Sequence, residues 1–307
     1  MKNIVLSTSR ARVRGVSLIE VMISLVIGLV VVGAVIVSYI GSGQTSKRQA
    51  AYAEMNENAQ IALSMMRSDL LLAGYAQGTS VLTDGAGVKT LGKTFATRPI
   101  FGCVNGFDAA NEIATATCSA GVGTPAIEMS YEADLTNSVP TSGGFPSDCL
   151  GNSLEHVAQT VAVGANNVTF YETHNRYYLA TTGAGSAARS ELHCASAAKT
   201  SAGAAIAGQP LVDNVEAMQI LYGESGAAGS RQIVRYVAAD AVADWQNIIS
   251  VRICLLMRST DKVLTGEDTT AGTAGYLDCD SAAQTSADGY LRRAYHLTTT
   301  LRNKMTF

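Results

Sequence analysis

Charged side chains are scarce in this sequence. Asp, Glu, Lys and Arg make up 15% of its 307 residues, whereas hydrophobic residues make up 47%. The net charge is −3 at pH 7, and four of the cations, Lys2, Arg10, Arg12 and Arg14, lie in the first fifteen residues. Elsewhere no basic patch of the size used to bind nucleic acid remains. Direct nucleic-acid binding is therefore not predicted.

The signatures of common catalytic and metal sites are also missing. The four histidines form no HExxH pair, and the chain has no P-loop, no GxSxG and no CxxC motif. His193-Cys194 could suggest a nucleophile, but an oxidised Cys194 would exclude that reading. The acidic run from Asp268 to Asp280 could suggest a calcium loop, yet it lacks the glycine and terminal glutamate of an EF-hand. We predict no enzymatic activity, no cofactor and no metal, with a solvated acidic loop preferred to a calcium site.

Proline is rare too, and the first one is Pro99. Nothing therefore interrupts a helix from Ser17 to about Ala73. Its first part, residues 16–40, is largely apolar, carries no charge except that of Glu20, and is long enough to cross a ~30 Å hydrocarbon core. The basic residues 1–15 before it predict a cytoplasmic N-terminus and an exported C-terminal part. A cleaved secretory signal is the alternative, but its apolar stretch would be shorter and would end at a cleavage site.

The residues that enter this helix form a recognisable motif. They read Arg14-Gly15-Val16-Ser17-Leu18-Ile19-Glu20, which resembles the prepilin peptidase site of type IV pilins and pseudopilins. The resemblance implies cleavage between Gly15 and Val16, N-methylation of Val16, and a carboxylate at Glu20 that pairs with the N-terminal ammonium of a neighbouring subunit and sets the register. Valine stands at the new N-terminus, where the family usually has phenylalanine or methionine.

Beyond the membrane segment the helix becomes amphipathic over residues 41–75. Apolar residues recur at spacings of three and four, which predicts a face packed on a globular core. They are Ala51, Met55, Ala59, Ala62, Met66 and Leu70. Gly74 is suited to the position that ends the helix. Arg67 and Asp69 lie among these residues as interspersed charges.

Six cysteines form an even set spread through the rest of the chain. They are Cys103, Cys118, Cys149, Cys194, Cys254 and Cys279. In an exported protein such a set predicts three disulfides, and free thiols in a cytosolic protein are the alternative. Pairing in chain order would close loops of roughly 15, 45 and 25 residues, although six cysteines allow fifteen connectivities.

The two remaining regions differ in pattern. Residues 76–210 are rich in Gly, Ala, Ser and Thr, and we predict short strands and long loops fastened by disulfides. Residues 211–307 contain β-branched, partly alternating segments at 211–222, 231–239, 247–257 and 290–301. The predicted fold is α+β, a long N-terminal helix packed on an antiparallel β-sheet.

Short motifs support a family assignment at both ends of the chain. They are Asn56-Glu57-Asn58-Ala59, Asp69-Leu70, Ala73-Gly74-Tyr75, Asp213-Asn214-Val215-Glu216, Leu221-Tyr222-Gly223, Asp244-Trp245, Val251-Arg252 through Arg258, and Arg292-Arg293 to Leu301-Arg302-Asn303. Residues 10–76 and 208–305 thereby resemble the PilW family of minor type IV pilins, with its pilin-like fold. Arg292, Arg293 and Arg302 are predicted to be solvated charges beside a strand, and pairing between subunits is the alternative.

The resemblance implies a structural subunit that primes type IV pilus assembly and enters the fibre near its tip. Its partners would be prepilin peptidase, the inner membrane, other minor pilins and the major pilin. It would move from the inner membrane, with its C-terminal domain in the periplasm, to the extracellular fibre. A type II secretion pseudopilin is one alternative. The other is an adhesin whose residues 76–210 recognise a surface or host ligand.

Overall fold

A computed structural model describes residues 15–83, 89–93, 98–108, 113–163, 166–185, 188–227, 229–266 and 274–304. The chain divides into two compact units, Met1–Ala50 and Ala51–Phe307. Besides short 3-10 turns, the elements within these ranges are one α-helix, α1 (Leu18–Leu72), and the strands β1 (Gly78–Thr83), β2 (Lys89–Lys93), β3 (Ile100–Cys103), β4 (Ala126–Ala133), β5 (Ala158–Val163), β6 (Asn166–Thr182), β7 (Arg189–Ser196), β8 (Gln209–Asp213), β9 (Val215–Ser225), β10 (Ile233–Val237), β11 (Ile248–Lys262), β12 (Gly275–Leu277), β13 (Ala283–Thr285) and β14 (Tyr290–Thr300).

Helix α1 ends where the sequence predicts. Gly74 takes the left-handed conformation with φ 77°, and its N–H donates to the carbonyl of Ser130 at 2.8 Å. The side-chain amide of Asn303 donates to the carbonyls of Leu71 and Leu72 at 3.0 and 3.1 Å. Because the last carbonyls of a helix have no partner within it, these contacts satisfy groups that burial would otherwise leave unpaired.

The predicted apolar face of α1 lies in the core of the second unit. All six residues of the stripe are buried, and they pack in one cluster with strands of two antiparallel sheets. Their i, i+3 and i+4 spacing places them on one side of the helix, where a sheet can cover them. The predicted α+β architecture is thereby confirmed.

The C-terminal strands form the sheet that their pattern predicts. It has four strands in the order β10-β9-β11-β14, and every pair is antiparallel. Strand β11 is central and almost wholly buried, whereas β10 and β14 lie at the edges. Val251, Ile253 and Leu255 of β11 belong to the core cluster that also contains the buried face of α1.

The preceding region contains a second, larger antiparallel sheet. It has six strands: β3-β4-β6-β7-β8 in order, with β5 also paired to β6. Strand β6 has 17 residues, longer than the short strands predicted here. Both faces of the middle of β6 are buried. Glu172, His174 and Arg176 lie on one face and Asn175 and Tyr177 on the other, so the sequence shows no alternation of apolar and polar residues there.

Two hairpins and three disulfides complete the second unit. The hairpins are β1–β2 and β12–β13. The disulfides join Cys103 to Cys118, Cys149 to Cys194 and Cys254 to Cys279, at sequence separations of 15, 45 and 25 residues. The cysteines are therefore paired in chain order, and Cys149–Cys194 links the connection between β4 and β5 to β7.

Candidate functional site: the N-terminal assembly segment

The residues of the predicted processing site lie at the start of α1. Gly15, Val16 and Ser17 precede the helix and are exposed. The carbonyl of Ser17 accepts the N–H groups of Glu20 and Val21 at 3.0 and 3.2 Å, which closes the first turn. Glu20 therefore lies where the partial positive charge of a helix N-terminus favours a carboxylate.

The helix that follows presents apolar side chains on every side. Residues 15–40 are all exposed, and Val16, Ile19, Leu25 and Val37 are each more than half accessible. The hydroxyl of Ser24 donates to the carbonyl of Glu20 at 2.7 Å, so it needs no outside partner. A surface this apolar is stable only within lipid or against other apolar helices.

Helix α1 is the only helix among the described residues that is long and apolar enough to cross a membrane. From Leu18 to Ile40 it rises about 34 Å at ~1.5 Å per residue, which exceeds the ~30 Å hydrocarbon core. Glu20 is the single charge in that stretch. The predicted leader cations lie outside the described residues.

The weaker candidate sites are engaged in other contacts. Asp278 accepts hydrogen bonds from the N–H groups of Asp280 and Ala282 at 3.0 and 2.9 Å, which stabilises a tight turn. Residues 267–273 of the same acidic run lie outside the described part. Cys194 is bonded to Cys149, so it is not a free nucleophile. Across the described residues no group of three His, Cys, Asp or Glu side chains is placed to hold a metal.

The prediction that Arg292 is a solvated charge is wrong. Its side chain is only 9% exposed and forms ion pairs with Glu216 and Asp288. The hydrogen bond from Arg292 holds the pKa of Asp288 well below its usual range. Glu216 precedes Arg292 by 76 residues, so no local pattern in the sequence indicated this pairing. Arg293, the next residue, is exposed as predicted.

Asp69 anchors a buried polar cluster that the sequence analysis missed. Its carboxylate accepts from the hydroxyl of Tyr177 at 2.7 Å, the hydroxyl of Tyr131 at 2.9 Å and the amide of Asn175 at 2.9 Å. Burial raises the pKa of Asp69, and these hydrogen bonds partly oppose that rise. The sequence did contain one signal of this burial. Asp69 follows Met66 by three residues, which places it on the buried face of α1.

A second buried polar cluster lies on the opposite face of the larger sheet. The imidazole of His174 contacts the Glu128 carboxylate through Nδ1 at 3.2 Å and the Glu172 carboxylate through Nε2 at 3.0 Å. Arg176 forms an ion pair with Glu128 at 3.0 Å. Burial alone would lower the pKa of His174, but the hydrogen bonds to Glu128 and Glu172 outweigh it and raise the pKa to about 9.

Comparisons with known proteins match two parts of the chain. A family model described as Type IV Pilus-assembly protein W matches residues 176–303, from within β6 to the residue that caps α1. A second, described as Prokaryotic N-terminal methylation motif, matches residues 10–36, which contain Gly15, Val16 and Glu20. The first match begins earlier than the resemblance in the sequence, which started at residue 208.

Among solved structures the chain is similar to the type IV-like pilin TTHA1219 from Thermus thermophilus. The identity is 11%, the TM-score is 0.36, and the similarity covers 82% of this chain and 98% of that one. No curated protein matches the sequence.

The N-terminal segment and the C-terminal sheet thus point to one class of protein. A methylation motif on an exposed apolar helix is typical of a subunit that is anchored in a membrane, processed by prepilin peptidase and incorporated into a pilus with other pilins. The second family match adds the structural domain that follows. Together the two matches support a PilW-like minor type IV pilin.

Proposed function

We propose that this pilin primes assembly of the fibre and is incorporated near its tip. It enters the inner membrane with residues 1–15 in the cytoplasm and residues 41–307 in the periplasm. Prepilin peptidase cuts between Gly15 and Val16, and Val16 is N-methylated. The role is structural, with no enzymatic activity, and other minor pilins and the major pilin are the partners.

The observation that carries this proposal is the single carboxylate in the first turn of α1, within the exposed and largely apolar residues 18–40. Cleavage after Gly15 would create an α-amino group four residues before Glu20. When the helix leaves lipid for a bundle of similar helices, a carboxylate in that bundle needs a cation, because an unpaired buried charge is costly. The ammonium of a neighbouring Val16 or its equivalent meets that need and fixes the axial register.

Intact-mass analysis of the purified protein and a matched pair of variants test the proposal. Mass analysis should report loss of residues 1–15 and one added methyl group. Glu20→Gln should be cleaved but should lower incorporation into pili by about tenfold or more, since one lost charge pair in an apolar bundle is worth at least ~1.4 kcal/mol. Glu57→Gln, an exposed residue of the same helix, should incorporate normally.

Two results would contradict this function. One is a mature chain that begins downstream of Ile40, because the helix would then be lost. The other is equal incorporation of Glu20→Gln and the unaltered chain. Finding the protein in a type II secretion machine and not in pili would favour the pseudopilin alternative.

A further inference from the structure

Strand β14 has an open edge. It ends the four-stranded sheet, and in the part of the chain that the structure describes it pairs with β11 alone. It has 11 residues, whereas β3, β8 and β10, the other strands that end the two larger sheets, have 4, 5 and 5. Native proteins usually keep such edges short or covered, because a long row of unpaired backbone groups can pair with another chain. Among these edges β14 is therefore the best suited to accept an added strand.

The register shows which backbone groups of β14 face outward. The N–H of Leu301 donates to the carbonyl of Ile249, so these two residues form a hydrogen-bonded pair. Such pairs recur at every second residue of an antiparallel ladder, which assigns the odd-numbered residues of 293–299 to β11. The even-numbered residues of 294–298 therefore direct their N–H and C=O groups to the outer edge. Across the described residues no other strand is paired with these groups.

An open groove of about 480 Å³ lies beside this edge. It is lined by Ala294 and His296 of β14, by Tyr276 and Leu277 of β12, and by Tyr52 of α1. Tyr52 is 40% exposed and Leu277 is 57% exposed, although both side chains are large and mostly apolar. The groove therefore combines outward backbone groups with apolar contact surface, which are the two features that strand addition uses.

The two walls of the groove lie on opposite faces of the four-stranded sheet. Ile253 of β11 packs in the core cluster with α1, whereas its neighbour Cys254 is bonded to Cys279, in the turn between β12 and β13. Because successive residues of a strand point to opposite faces, α1 and the hairpin cover opposite faces. The side chains of a strand added to β14 would thus alternate between Tyr52 on one side and Leu277 on the other.

Arg293 gives the groove a positive charge that is available to a ligand. It is exposed, its guanidinium lies 5.5 Å from the centre of the Tyr295 ring, and within the described residues it forms no ion pair. The other charged groups of the lining are engaged. Arg292 is paired with two carboxylates, and both oxygens of Asp278 accept hydrogen bonds within its own hairpin. A carboxylate on an added strand would therefore find its partner in Arg293.

We propose that an extended segment of a neighbouring pilin subunit adds to β14 as a further strand of this sheet, with a carboxylate beside Arg293. The backbone groups of residues 294–298 would hold the strand, while Tyr52 and Leu277 would contact its alternate side chains. That the neighbour is a pilin rests on the proposed function, whereas the edge and its chemistry do not.

The first test measures binding of a peptide to the full chain in detergent micelles. The probe is a peptide of alternating threonine and valine with one glutamate at its centre. It should bind, and the amide protons of Ala294, His296 and Thr298 should become protected from hydrogen exchange, because an added strand accepts hydrogen bonds from them. Amides that already bond β11 should change little.

Proline and alanine at the same position form the matched pair of variants. His296→Pro removes an outward N–H and should weaken peptide binding about tenfold or more, whereas His296→Ala keeps that N–H and should bind like the unaltered chain. Thr298→Pro and Thr298→Ala repeat the comparison at a second exposed position. Trp245 fluorescence in urea confirms that each variant is folded, and the exchange measurement on the unaltered chain decides if both proline variants unfold.

The charge is tested separately. Arg293→Gln, or lysine in place of the central glutamate of the peptide, should weaken binding about two- to fivefold, as expected for an exposed ion pair. Arg189→Gln, at an exposed position of the other sheet, should leave binding unchanged.

The second test measures the amount of each variant in purified pili. The proline variants should be incorporated at least about tenfold less than their alanine counterparts. The proposal is overturned if the peptide does not bind, if the proline and alanine variants bind it equally, or if both enter pili equally. Failure of the assembly role itself would look different, because the unaltered chain would then be absent from pili.

Discussion

Replacing Asp69 with alanine should destabilise the second unit by about 2–4 kcal/mol. The change removes the acceptor of three buried donors, those of Tyr131, Asn175 and Tyr177, and each orphaned donor costs about 1–3 kcal/mol. Two effects reduce the sum. Asn175 also donates to the hydroxyl of Tyr131 at 3.3 Å and so keeps one partner, and the variant no longer buries a carboxylate.

Urea unfolding of the oxidised full chain measures this loss. Trp245 is the single tryptophan, and its ring lies 4.8 Å from that of Tyr222 and 5.1 Å from that of Phe101, so its fluorescence reports the core. Asp69→Asn, which keeps one acceptor and the volume, should lose less than Asp69→Ala. A loss for Asp69→Ala no larger than that of Glu57→Ala, at an exposed site of the same helix, would refute the reasoning.

Two further predictions concern the sheets. Because the folded-state pKa of His174 lies near 9, above its ordinary 6.5, its stabilising contribution is complete below pH 6.5 and is lost as pH rises through 9. NMR titration of its ring should give that midpoint, and a midpoint near 6.5 would disprove it. Gly102→Ala should cost about 1–3 kcal/mol, because its Cβ would overlap the buried Tyr222 hydroxyl. Gly121→Ala, with its nearest contact at 3.7 Å, should cost far less.

Local patterns predicted the parts of the fold that local forces determine. The stripe from Ala51 to Leu70 follows the helical period, so its buried face could be assigned without knowing what covers it. The same holds for β11, because the β-branched and partly alternating segment 247–257 predicts a strand. Gly74 ends α1 because glycine adopts a positive φ without steric cost, and this property can be read from the residue alone.

Long-range pairings set the limit of such prediction. The sequence shows Asp69 only as an interspersed charge, because its three donors come from β4 and β6, more than 60 residues away. Strand β6 lacks alternation because one face packs on α1 and the other carries ion pairs to β4. Glu20 and Gly15 were recognised from a motif, whereas the ion pairs of His174 exist only after the strands pair.

The cap that Asn303 places on α1 joins parts of the chain 231 and 232 residues apart. The carbonyls of Leu71 and Leu72 therefore gain this partner only from a chain that extends to residue 303. A chain truncated before that residue lacks the cap, and its helix end should be cut by proteases more readily than that of the full chain.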